Sequence, residues 1–119
     1  MQSDSSELKL YDFIKSLGFV DFSKELVSIA FTHSSYTKEL ALPIDNCYER
    51  LEFLGDAVLK MTTTEYLFDR YSEKSEGELT KIRAIIISDE ILYKVAQNLN
   101  IESYIKVSTA EKKSRWTET

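Results

Sequence analysis

Glycine, proline, cysteine and histidine are all scarce: the 119 residues include three glycines, one proline, one cysteine and one histidine. With so few chain breakers, and with long stretches in which apolar residues recur at a 3.6-residue period, an all-α fold is expected and no segment reads as a convincing strand. The one cysteine, Cys47, excludes an internal disulfide framework, and without a histidine–cysteine cluster it argues against structural zinc. A cytoplasmic, reducing setting fits best. Long apolar runs are also missing. Residues 1–7 are polar and acidic, and nothing approaches the length of a signal core or membrane span, so a soluble protein with no membrane partner is expected. Basic residues are outnumbered 15 to 20, for a net charge of −5, which argues against general electrostatic attraction to nucleic acid but leaves room for a local basic patch. This length holds one domain, and 43% hydrophobic content suffices for a modest core.

The apolar periodicity predicts helices near 7–17, 23–32, 46–71, 76–87 and 89–99. Gly18 is placed to end the first in a left-handed cap. Residues 37–45, containing Pro43 and Asp45, read as a loop, and Asn46 followed three residues later by Glu49 matches a capping pattern that would start the next helix near Asn46. Ser75 and Glu78 form another Ser-x-x-Glu box, and Ser88 with Asp89 and Glu90 behind it has the chemistry of a helix start. Ile101, Tyr104, Ile105 and Val107 are too few for a further layer. In the tail, Lys112, Lys113 and Arg115 beside Trp116 have the chemistry to contact RNA phosphate and a base face, but a solvated, frayed terminus is the simpler account. His33, flanked by serine and tyrosine residues with no second ligand type nearby, reads as a hydrogen-bonded structural residue.

The most informative stretch is Glu49-Arg50-Leu51-Glu52-Phe53-Leu54-Gly55-Asp56-Ala57-Val58-Leu59. On a helix it places Glu49, Glu52 and Asp56 at about 0°, 300° and 340°, three carboxylates in one narrow stripe. Leu51, Leu54 and Val58 form one apolar wall and Phe53, Ala57 and Met61 another. Like charges so arranged repel, and a hard divalent cation such as Mg²⁺ would relieve them. From periodicity alone a solvated acidic face is the simpler account, with Lys60 four residues after Asp56 in the favourable order for an ion pair.

The string itself tips that balance, because its eleven consecutive residues are very similar to the signature stretch of the ribonuclease III family, endonucleases that cut double-stranded RNA. Residues 75–84, Ser-Glu-Gly-Glu-Leu-Thr-Lys-Ile-Arg-Ala, resemble the family's second recurring stretch, and Thr32-His33-Ser34-Ser35-Tyr36 resembles scaffold around the signature helix. The likeness runs from about residue 31 to 107. It implies a helical bundle that homodimerises through the signature helices, with Phe53 at the dimer interface. It also implies a carboxylate cluster binding Mg²⁺, for which Mn²⁺ substitutes, with Glu52 and Asp56 as catalytic residues and metal ligands and Glu49 near the substrate but held below them. The implied reaction is hydrolysis of double-stranded RNA in RNA processing, leaving 5′-phosphate and 3′-hydroxyl ends.

Three features depart from the family. Its remaining two cluster acids lie in an Asp-x-x-Glu arrangement on a later helix that residues 1–119 do not include, no double-stranded-RNA-binding domain follows, and Tyr48 stands where many members have asparagine. The expectation is a single ribonuclease III-like domain, truncated at its C-terminus. It is read as an RNA endonuclease, with two alternatives: a catalytically inactive dimerising helical module or fragment requiring a partner, or a general scaffold whose acidic stripe is simply solvated.

Overall fold

The structure is a computed structural model describing residues 2–116, with side chains described for 5–112. Among the described residues it is all-α: α1 (Gln2–Ser16), α2 (Lys24–Ala30), α3 (Ser34–Glu39), α4 (Glu49–Arg70), α5 (Glu76–Ile86), α6 (Asp89–Asn98) and α7 (Thr109–Trp116), with 3-10 turns at Ile44–Asn46 and Ile101–Tyr104. Among the described residues the extended backbone forms no strand, only one isolated parallel bridge between Thr32 and Lys106. No described helix is long and apolar enough to cross a membrane. The chain divides into two compact units, one comprising residues up to Leu51 together with those from Ser103 onward, the other Glu52–Glu102.

In the first unit, α1 brings apolar residues to one side at helical spacing. Leu10 is buried, and the Phe13 ring stacks on Tyr104 at 4.3 Å between centroids and meets Phe31 edge-on at 6.4 Å. Gly18 ends the helix as expected, at φ 102°, where a side chain would be strained. The residues from Ser103 onward close this unit: Lys106 N–H donates to the Phe31 carbonyl at 2.8 Å, and His33 N–H donates to the Lys106 carbonyl at 2.9 Å. The Lys106 ammonium pairs with Glu7 at 3.1 Å and donates to Ser28 Oγ at 3.2 Å. The Lys106 hydrogen bond holds the Glu7 carboxyl below its ordinary range despite partial burial, while burial and the Glu7 charge push the Tyr11 phenol up.

Two expectations about the segment before the long helix fail, each for its own reason. Residues 34–39, partly assigned to a loop, form α3, because His33 acts as an N-cap: its Nδ1 accepts from Ser35 N–H at 3.1 Å. The long helix does not begin at Asn46. That residue belongs to the turn after Pro43, whose carbonyl accepts from Asn46 N–H at 3.0 Å, and Cys47 is extended and buried. Tyr48 N–H donates to the Thr32 carbonyl at 2.9 Å and α4 starts at Glu49, so a non-local backbone bond, not the Asn46–Glu49 pair, sets the entry.

The tail is helical through Trp116, and Glu111 N–H donates to the buried Ser108 hydroxyl at 3.0 Å. The expected frayed terminus is thus helical instead, and the alternative of RNA contact by Lys113, Arg115 and Trp116 falls on side chains outside the described set; Lys112 is exposed.

In the second unit, α4 turns Thr63 and Leu67 inward. The α5 capping box is fully formed: Glu78 N–H donates to Ser75 Oγ at 3.2 Å and Ser75 N–H donates to Glu78 Oε2 at 3.0 Å. Ser88 caps α6 as its position predicts. Leu79, Ile82 and Ile86 of α5 and Ile91, Leu92 and Ala96 of α6 are half-buried.

Candidate metal centre on the long helix

Helix α4 extends over 22 residues, and its first two turns carry the acids. Glu49 is its first residue, where a carboxylate faces the positive end of the helix dipole. It is exposed, and among the described residues it makes no hydrogen bond or ion pair, so the capping role inferred for it is not realised. Glu52 and Asp56 follow, four residues and about 6 Å of helix rise apart. Both are exposed.

The simpler account of this stripe is a solvated acidic face, on which spacing allows an ion pair between Asp56 and Lys60. That pair does not form: the ion pairs among the described residues are Glu90–Lys94 and Glu7–Lys106. Asp56 and Glu52 therefore keep their oxygens open to solvent. Hard carboxylate oxygens one turn apart on a rigid helix, with room for water around them, suit Mg²⁺, which retains several waters and takes one or two carboxylates from a protein. They do not make a closed cage, because no group of three or more candidate ligands assembles among the described residues.

Beside the acids lies an apolar surface. Phe53 is 85% exposed and so takes no part in the core. Met61 and Phe68, 69% and 72% exposed, continue the same stripe, and Leu54 and Val58 widen it. The sequence shows the i, i+4 recurrence of Phe53, Ala57 and Met61, but apolar spacing reads the same whether a face is covered or bare. Phe68 was missed as part of this surface for that reason.

Helix α4 thus presents two exposed acids and a bare aromatic stripe within an all-helical chain. The family model described as Ribonuclease-III-like matches residues 23–119, and the chain belongs to that family. It is 48% identical over 91 residues to Ribonuclease 3 of Streptococcus mutans, covering 76% of this chain and 39% of that protein. It is 44% identical over 105 residues to Ribonuclease 3 of Clostridium perfringens, covering 88% and 44%. The chain thus spans less than half the length of these curated relatives. Two solved nuclease domains of ribonuclease III from Campylobacter jejuni superpose with TM-scores of 0.76 and 0.75 at 35% and 36% identity, each 71% covered, against 92% and 90% of this chain. One of them is described for flexibility in the region involved in dimer formation.

Proposed function

We propose that this chain is part of a ribonuclease III-type endonuclease, in which Glu52 and Asp56 hold Mg²⁺, or Mn²⁺ in its place, for cleavage of double-stranded RNA to 5′-phosphate and 3′-hydroxyl ends. The observation that carries this reading is the open, unpaired Glu52–Asp56 carboxylate pair within the eleven-residue signature of α4. When bound, the cation supplies a Lewis acid at the scissile phosphate and a more acidic water to attack it. The chain's own part is to fix two oxygen ligands on one helix face, with Glu49 near the substrate strand. Phe53 and its neighbours cover one another across a homodimer axis, so that two centres address the two strands of an A-form duplex by its shape. The free, buried Cys47 thiol accords with a reducing cytoplasm. Residues 1–119 form part of a single nuclease domain, a reading supported by the 71% coverage of the solved domains.

Two acids alone bind weakly. The lack of any group of three or more candidate ligands among the described residues favours a second reading, a dimerising module inactive until further acids join it, and the same assay separates the two. Duplex RNA incubated with the chain should be cut with Mg²⁺ and not with EDTA, slowly for residues 1–119 and faster when the remaining acids are present. Asp56→Asn should abolish cutting and Glu52→Gln reduce it at least 100-fold, on the order of 3 kcal/mol. Neither change should lower the melting temperature, because each relieves like-charge repulsion. A dimer that leaves the duplex intact even with the further acids supplied would be the inactive module, and cutting indifferent to Asp56→Asn would return the stripe to a solvated face.

A further inference from the structure

Arg83 occupies a position that its helix otherwise gives to apolar side chains. Leu79, Ile82 and Ile86 share its face of α5 at i, i+3, i+4 and i+7 spacing, and all four are half-buried. A guanidinium offers five N–H donors and stays charged throughout the physiological range. Here its described partner is a neutral hydroxyl: Arg83 Nη1 donates to Thr64 Oγ1 at 2.9 Å, and Arg83 takes part in no ion pair among the described residues. Thr64 Oγ1 in turn donates to the Lys60 carbonyl at 2.6 Å, which spends its proton on the helix and leaves a lone pair for the arginine. Lys60 is exposed and also makes no described ion pair, although Asp56 lies one turn away. Most basic side chains among the described residues make no ion pair; Arg83 is set apart by being half-buried on an apolar face and held to a neutral hydroxyl on the helix that carries Lys60.

Glu52, Asp56, Lys60 and Thr64 follow one another every four residues along α4, a ladder that drifts only about 40° per step. Along it the charge changes from negative to positive. Lys60 stands about 6 Å beyond Asp56, and Thr64, which holds Arg83, about 12 Å beyond. Partial burial of a cation is costly when its only partner is neutral, and an arriving anion offsets that cost. Arginine is suited to receive one, since its planar fork meets two phosphate oxygens at once, while lysine adds a point charge.

We propose that Lys60 and Arg83 form a phosphate seat for the RNA backbone, next to the phosphate addressed by Glu52 and Asp56, and that this seat supplies RNA affinity to an otherwise acidic chain. The proposal rests on the nuclease reading of those two acids. A duplex strand that presents one phosphate to the carboxylates runs on past the cations, so the ladder fixes the strand's position along α4 without reading its bases.

The test is binding of a labelled blunt RNA duplex to the 119-residue chain in EDTA, followed by fluorescence anisotropy across a range of salt concentrations. Each phosphate contact contributes a slope of about −0.9 in log K against log salt on a B-form duplex, and the expected change is similar here. Lys60→Gln and Arg83→Gln should each flatten the slope by about one unit and weaken low-salt binding several-fold. Arg83→Lys should restore the slope, and Lys94→Gln, on α6, should leave it unchanged. An Arg83→Gln chain with a lower melting temperature and an unaltered slope would make the residue only a tie between α5 and α4, overturning the seat. A wild-type chain that bound no duplex at low salt would overturn it as well. The nuclease reading is decided separately, by the response of Mg²⁺-dependent cleavage to Asp56→Asn.

Discussion

Glu7 is the residue whose titration reports most directly on the fold. Its carboxylate accepts from Lys106 at 3.1 Å and from Ser28 at 3.3 Å, joining α1 to α2 and to the segment after the last 3-10 turn. The Lys106 hydrogen bond lowers its pKa from the ordinary value of 4.5 and outweighs the opposing effect of burial. A depressed folded-state pKa means that the unfolded chain binds the proton more readily. The stabilisation is therefore fully present above the ordinary carboxylate range and is lost as pH falls through the folded value. Urea denaturation between pH 7 and pH 3 should show this loss, and Glu7→Gln should flatten it while costing on the order of 1 kcal/mol at pH 7. Gly55 offers a change of opposite sign. It sits inside α4, and a Cβ built there meets nothing within 4 Å. Gly55→Ala should stabilise the chain by about 0.5–1 kcal/mol, measured as a raised urea midpoint. A loss of self-association or cleavage accompanying that gain would mean that another chain's backbone approaches closely at this position.

Helix α5 is the element on which the second unit's polar chemistry depends, because it carries Arg83 to Thr64. Its first turn is secured by the reciprocal Ser75–Glu78 bonds in an exposed position. Ser75→Ala removes the hydroxyl acceptor for Glu78 N–H and should cost about 1 kcal/mol, read as a lower urea midpoint at unchanged m-value. Helix α4 gains its definition differently. Tyr48 N–H is held by the Thr32 carbonyl, and the His33 ring meets Tyr48 edge-on at 5.7 Å between centroids. The single histidine therefore has a structural task twice over, as the N-cap of α3 and as a neighbour of the residue just before α4.

At the scale of the whole molecule, the bare stripe of Phe53, Met61 and Phe68 bears on assembly. Apolar residues this exposed on one helix mark an interaction surface, and a surface that meets its own copy across a two-fold axis buries each side chain twice. Covering Phe53 would contribute about 2 kcal/mol per copy. Phe53→Ala should therefore weaken a wild-type dimer on the order of 10²–10³-fold in dissociation constant, seen by sedimentation over a range of concentrations. Monomer stability should hardly change, since the ring is 85% exposed. A wild-type chain that sediments as a concentration-independent monomer removes the idea.

The sequence by itself determined the all-α class, the stop at Gly18, the α5 capping box, the Ser88 cap and the helical spacing of Glu52 and Asp56. Each of these depends on residues within a few positions of one another, so local stereochemistry suffices to read them. Tertiary structure decided what rests on distant partners. The start of helix α3 is an exception, local and yet not legible: His33 Nδ1 accepts a hydrogen bond from Ser35 N–H, a role that the usual serine, threonine and aspartate signals do not announce. The start of α4 was misplaced by three residues because its entry depends on the Thr32 carbonyl, sixteen positions earlier in the chain. The Asp56–Lys60 pair allowed by spacing does not form; an exposed pair in water gains too little to hold two mobile side chains together. Only the fold could say that Phe53 faces solvent and that Arg83 meets Thr64, because periodicity fixes which residues share a face and not what lies opposite it.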